Sequence, residues 1–167
     1  MKARDTQFQQ LLNDYGAGIA RVAGTYARTT EERDDLLQDI WLAIWRALPG
    51  FRGESSVKTF IFRIAHNRSV TELARRRPDQ DDTLLEGVTD SAPGPAERLA
   101  GQRQSEQLLS AVQALSLGLR QVISLRLEGL SYSEIAEVLG ISESNVAVRL
   151  NRARQRLSKR LGEHSER

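Results

Sequence analysis

Apolar residues recur along this chain at three- and four-residue steps, the spacing that puts them on one face of an α-helix, and no alternating strand pattern interrupts them. Phe8, Leu11, Leu12, Tyr15, Ile19, Val22, Ala23 and Tyr26 predict a first helix. Thr29 with Glu32 forms a capping box that opens a second. That helix presents Leu36, Leu37, Ile40, Trp41, Ile44, Trp45 and Leu48, and stops at Pro49-Gly50. Ser55 or Ser56 caps a third, which carries Val57, Phe60, Ile61, Ile64 and Ala65 and runs to the arginines at 75, 76 and 77. Residues 78–95, PDQDDTLLEGVTDSAPGP, lack this periodicity and are dense in Pro, Gly, Asp and Ser, so they are expected to be a flexible acidic linker.

A second helical set follows. Leu99, Leu108, Leu109, Val112 and Leu115 mark one helix, and Leu119 to Leu127 a short one. Ser131 with Glu134 makes another capping box, whose helix ends at Gly140, and Ser142 caps a last helix to about Leu161. The expected fold class is therefore all-α. Two small helical domains, residues 1–77 and 96–167, are joined by the linker 78–95.

Tyr132 to Leu139, then Gly140-Ile141-Ser142, then a long basic helix is the layout of a helix-turn-helix, whose second helix enters the major groove of DNA. At 100° per residue, Val146, Leu150, Ala153, Leu157 and Leu161 fall on one inward stripe. Ser144, Val148, Asn151, Arg152 and Gln155 lie opposite, flanked by Asn145 and Arg149. A basic amphipathic helix can also dock on a membrane or an acidic partner. The short helix and glycine turn before it favour duplex DNA.

Charge sharpens the picture. The net charge of +2 conceals +5 over residues 50–77, −5 over 78–110 and +6 over 146–160. Two basic blocks around an acidic stretch fit two separate contacts with a polyanion. Of 24 basic residues, 21 are arginine, the side chain best shaped for phosphate and guanine, although a GC-rich genome also raises arginine counts. In the N-terminal half, Phe51 and Arg52 in a glycine-flanked loop, with Lys58, Arg63 and Arg68 beyond, can hold single-stranded nucleic acid; plain loop packing is the other reading. The acidic outer face of the second helix is by itself compatible with simple solvation.

Other chemistry is constrained. With no cysteine and two histidines far apart in sequence, disulfides, thiolate catalysis and cysteine-zinc sites are excluded. Asp79, Asp81 and Asp82 cluster in the linker without an ordered shell to hold a metal. No phosphate-binding loop, dinucleotide fingerprint or nucleophile elbow occurs. No catalytic residue, metal or cofactor is expected. The longest apolar run, Ile40 to Trp45, is too short to cross a bilayer, and the N-terminus lacks a signal-peptide core, so a cytoplasmic protein without membrane insertion is expected.

Three stretches, DDLLQDIWLAIWRALPGFRGESSVKTFIFRIAHN, LSLGLRQVISLRLEGLSYSEIAEVLGIS and RLNRARQRL, resemble the extracytoplasmic-function sigma factors of bacterial RNA polymerase. The resemblance spans nearly the whole chain outside the linker. It implies a promoter-specificity subunit that binds core RNA polymerase, recognises −10 and −35 elements and helps melt the −10 region. Asp35, Gln38, Asp39, Leu42 and Arg46 match the positions that contact the polymerase clamp. Phe51, Arg52, Ser55, Ser56, Lys58, Arg63 and Asn67 are the candidates for the −10 element, where a base of the melted non-template strand is flipped into a pocket at a cost of a few kcal/mol. Ser144, Asn145, Val148, Arg149 and Arg152 are the candidates for the duplex −35 element, with Arg120, Ser131 and Tyr132 near its backbone. The linker would thread the polymerase channels as a nucleic-acid mimic or serve as a solvated tether. With no further C-terminal domain expected, regulation would come from a separate anti-sigma factor.

The sequence departs from the family in places. Thr71 stands where Asp is usual, Leu117-Gly118 replace a Pro-containing turn, and Ala147 takes an often basic position. The alternative from a different class is a stand-alone dimeric helix-turn-helix regulator, which would bind duplex DNA tightly without polymerase.

Overall fold

A computed structural model of the chain describes residues 1–76 and 100–165. Among them are seven α-helices and no strand: α1 (Lys2–Tyr26), α2 (Thr30–Ala47), α3 (Val57–Arg76), α4 (Ala100–Gln113), α5 (Leu117–Leu127), α6 (Tyr132–Leu139) and α7 (Glu143–Ser165). The all-α expectation holds. The expected linker at 78–95, Leu99 and the aspartates at 79, 81 and 82 lie outside the described residues.

α1, α2 and α3 pack against one another, and their shared core is aliphatic: Ile19, Val22, Leu36, Ile40, Ile44, Ile61 and Ala65 are fully or almost fully buried. Trp41 and Trp45 are only half-buried. Phe8 meets them edge-on, with ring centroids at 5.7 and 5.1 Å, and Arg4 stacks 3.9 Å above the Trp45 ring while donating to the Trp45 carbonyl. These contacts extend α1 to Lys2, several residues before the first periodic apolar position.

Local caps set the other boundaries. Thr29 Oγ1 accepts from the Glu32 amide at 3.1 Å, as the capping box requires, but the Glu32 carboxylate accepts instead from the Arg28 amide at 2.8 Å. Glu32 also meets Arg76 at 2.9 Å, which ties the start of α2 to the end of α3. Burial opposes ionisation of Glu32, yet the Arg28 amide and the Arg76 charge hold its carboxyl below the usual range. Of the two serines, Ser56 is the α3 cap, its Oγ accepting from the Thr59 amide at 3.1 Å. α2 ends at Ala47, and Leu48–Gly50 forms a single 3-10 turn in which Pro49 bars further α-helix.

The C-terminal helices enclose Val112, Val122, Leu125, Leu130, Ile135, Val146, Leu150 and Ala153, continuous with the buried residues of α1–α3. Ser131 and Glu134 form a complete capping box at the start of α6, with bonds of 3.0 and 3.1 Å. Gly140 takes a left-handed conformation (φ 68°), and the amides of Gly140 and Ile141 both donate to the Ala136 carbonyl at 2.8 and 3.1 Å. Ser142 caps α7 through the Asn145 amide. Leu109, placed on the periodic apolar stripe of α4 by sequence, is exposed.

The two helical units also touch each other. α3 packs on α6, and α1 on α4 and α5.

Candidate nucleic-acid interface

α6, the turn at Gly140 and α7 form the helix-turn-helix. Ile135, Val146, Leu150, Ala153 and Leu157 are buried, so the inward stripe falls where the periodicity placed it. Ser144, Val148, Asn151, Arg152 and Gln155 are exposed on the far side of α7. Val148 is 49% exposed, an apolar side chain in water among polar ones, which suits contact with a thymine methyl group. Asn145 and Arg149 are half-buried and bonded to each other, Arg149 Nε donating to Asn145 Oδ1 at 3.0 Å.

Three positions expected near the DNA backbone fare differently. Ser131 is exposed, but its hydroxyl is engaged as the α6 cap. Tyr132 sits between two arginines: Arg126 lies 5.3 Å above its ring and Arg154 donates to its hydroxyl at 3.5 Å. Arg126 and Arg154 were not among the sequence candidates. Both are exposed and meet at Tyr132, the first residue of α6. Its place in the basic run of α7, two positions beyond Arg152, was the signal available for Arg154; nothing local marked Arg126. Arg120 is 6% exposed, and its guanidinium donates to the carbonyls of Gln113 and Leu115 at 2.9 and 3.2 Å and of Thr25 at 3.4 Å. It also lies 5.7 Å above the ring of the buried Tyr26, whose phenol burial pushes up to about 12. As placed, Arg120 is an internal brace rather than a group presented to a phosphate.

In the N-terminal unit, Arg52, Ser56 and Asn67 are exposed, and Ser55, Lys58 and Arg63 half-buried. Phe51 stacks on Phe60 with ring centroids 4.5 Å apart, so its ring is the loop's anchor to α3. Ser56 Oγ lies 2.9 Å from Thr59 Oγ1. Lys58 and Arg63 point toward α6, Lys58 Nζ donating to the Gly129 carbonyl at 3.2 Å and Arg63 meeting the Glu137 carboxylate at 3.6 Å. On α2, Asp35, Gln38, Asp39, Leu42 and Arg46 form one exposed face, with Leu42 46% exposed and Asp39 3.8 Å from Arg68 of α3. Among the described residues no cluster of acidic, histidine or cysteine side chains has the makings of a metal site, and no helix is long and apolar enough to cross a membrane.

Comparison with known proteins addresses both units. The family model for Sigma-70 region 2 matches residues 11–78, and that for Sigma-70 region 4 matches residues 105–157. RNA polymerase sigma factor CnrH of Cupriavidus metallidurans is 32% identical, over 95% of this chain and 88% of that protein. The ECF RNA polymerase sigma-E factor of Haemophilus influenzae is 31% identical, over 84% of this chain and 82% of its own length. The chain belongs to the extracytoplasmic-function sigma factors of RNA polymerase.

Two solved structures resemble this sigma factor. CnrH in complex with the cytosolic domain of CnrY has a TM-score of 0.71 at 29% identity, covering 95% of this chain and 90% of that one. The sigma factor RpoE of Bartonella quintana, in complex with the anti-sigma factor NepR, has a TM-score of 0.73 at 25% identity, covering 93% and 97%. As a sigma factor the protein binds core RNA polymerase and directs it to promoters. The match over both helical units leaves the stand-alone dimeric regulator without support.

Proposed function

We propose that this sigma factor divides promoter recognition between its two helical units, 1–77 and 96–167, joined through 78–95. α7 reads a duplex −35 element through Ser144, Asn145, Val148, Arg149 and Arg152, with Tyr132, Arg126 and Arg154 on the adjoining backbone. The loop at Phe51–Ser56 and the N-terminal half of α3 take the melted −10 strand. There Arg52, Ser55, Ser56 and Asn67 line the approach, Lys58 and Arg63 supply charge, and Phe51 braces the loop on Phe60. Asp35, Gln38, Asp39, Leu42 and Arg46 dock on the polymerase.

The observation that carries this reading is the exposed, unbroken face of α7 opposite a fully buried stripe, in a helix-turn-helix whose cap and turn are both complete. The free energy of DNA binding comes from arginine charge and counterion release, and discrimination from the base-edge contacts of α7. The protein carries out no chemistry of its own. It acts in the cytoplasm, where core polymerase and the chromosome are. An anti-sigma factor restrains it; the solved complex of RpoE with the anti-sigma factor NepR supports this reading.

The test is transcription of fragmented genomic DNA by core RNA polymerase with and without the protein, sequencing RNA 5′ ends. New start sites that share a spaced two-part motif are expected. No new starts from active core would overturn the proposal.

A further inference from the structure

The two helical units share one continuous apolar core, and specific polar contacts join them at its margin. Arg21 on α1 donates through Nε and Nη2 to the two carboxylate oxygens of Glu128, at 2.6 and 2.8 Å. Glu128 follows the last turn of α5, and its side chain is only 7% exposed although Arg21 remains mostly in water. Gly18, one turn before Arg21, makes room for it: a Cβ there would stand 2.8 Å from Glu128 Oε2. Gln113 at the end of α4 donates to the carbonyls of Gly24 and Ala27 at 2.9 and 3.1 Å, satisfying acceptors that the end of α1 leaves open. On the other side of the contact, Lys58 donates to the Gly129 carbonyl, and Arg63 meets the backbone and carboxylate of Glu137.

Those two cations are the ones assigned above to the melted −10 strand. Their partners lie on the α5–α6 turn and on α6, the first helix of the −35 reader. A nucleic-acid strand running along α3 and the docked C-terminal unit therefore claim the same surface. We infer that the free protein is latched shut by its own C-terminal domain, with Arg21–Glu128 as the clasp and the Lys58 and Arg63 cations of α3 engaged by α6 and the turn before it. The inference rests on the −10 assignment of Lys58 and Arg63. The apparent affinity for a strand is then reduced by the fraction of molecules that are open.

The chain has no cysteine, so dyes can be placed at Gln10→Cys on α1 and Ser158→Cys on α7, both exposed. In the full-length protein, Arg21→Glu sets two carboxylates against each other. It is expected to lower energy transfer between the dyes and to tighten binding of a 20-nucleotide oligo-dT by roughly threefold or more. Added negative charge alone would weaken that binding, so the sign is diagnostic. Unchanged transfer overturns the latch, as does a fall in transfer without tighter binding.

A second variant, Arg21→Cys with Glu128→Cys, is joined by a short thiol-cleavable bismaleimide. It should cross-link readily, lose oligo-dT binding, and regain it on cleavage. No cross-link, or undiminished binding while joined, also overturns the latch. Failure of promoter-directed transcription with the energy-transfer change intact would instead overturn the promoter assignment, leaving the docking itself standing.

Discussion

Arg149 is held by Asn145 and lies across Gly118: its Nε donates to Asn145 Oδ1 at 3.0 Å, and a Cβ on Gly118 would stand 3.3 Å from its Nη1. The guanidinium therefore lies beside α5, where Gly118, part of the departure from the family's Pro-containing turn, leaves it room. Arg149→Ala is expected to weaken use of the −35 element by about 1–3 kcal/mol if the arginine makes a base contact. Transcription across a randomised −35 library checks this, and an unchanged preference at every position would refute it.

Asp39 stands on the exposed face of α2, 3.8 Å from Arg68. A pair this exposed contributes about 0–1 kcal/mol to stability, so Asp39→Arg is expected to leave the fold intact. It should nonetheless impair association with core polymerase, because it inverts charge in the middle of the proposed docking face. Competition against a labelled sigma factor for core gives the result, with wild-type affinity counting against the assignment.

His66 is buried on α3, with Nδ1 3.3 Å from Asn67 Oδ1 and Nε2 without a partner. Burial is the main cause that lowers its pKa, and the Asn67 contact only partly offsets it. The folded state thus resists protonation that the unfolded chain accepts. Stability is full above the ordinary histidine value of about 6.5 and falls as pH drops below it, by at most about 1.4 kcal/mol per pH unit. Chemical denaturation between about pH 5 and 7 should show this slope, and His66→Leu should flatten it. An identical slope in the variant would assign the effect elsewhere.

Ile135 is fully buried between α6 and α7. Ile135→Ala is expected to destabilise the C-terminal unit by about 2–5 kcal/mol through lost burial and the cavity left behind. Because the buried residues of both units form one continuous core, tryptophan fluorescence from Trp41 and Trp45 should report the same, earlier transition as helix content does. A later fluorescence transition would mean that the two units unfold separately.

What the sequence determined by itself is what short-range physics encodes. Helical periodicity placed the helices, Ser131, Glu134, Ser142 and Gly140 set the caps and the turn, and the same periodicity separated the buried stripe of α7 from its exposed face. Each of those signals acts within about four residues, so it leaves a mark in the string of amino acids. The exposed face of α2 was legible for the same reason, though only the family resemblance gave it a partner.

Only the tertiary structure decided which polar side chains remain free. Arg120 turns inward to brace α4 and α1, Phe51 anchors its loop on Phe60, and the Glu32 carboxylate chooses the Arg28 amide over the expected one. Arg126 and Arg154 converge on Tyr132 from different helices. Arg21 finds Glu128 across 107 positions of chain. A long arginine or lysine side chain reaches whatever acceptor folding brings near it, and that acceptor sits in a distant segment with no spacing rule to announce it.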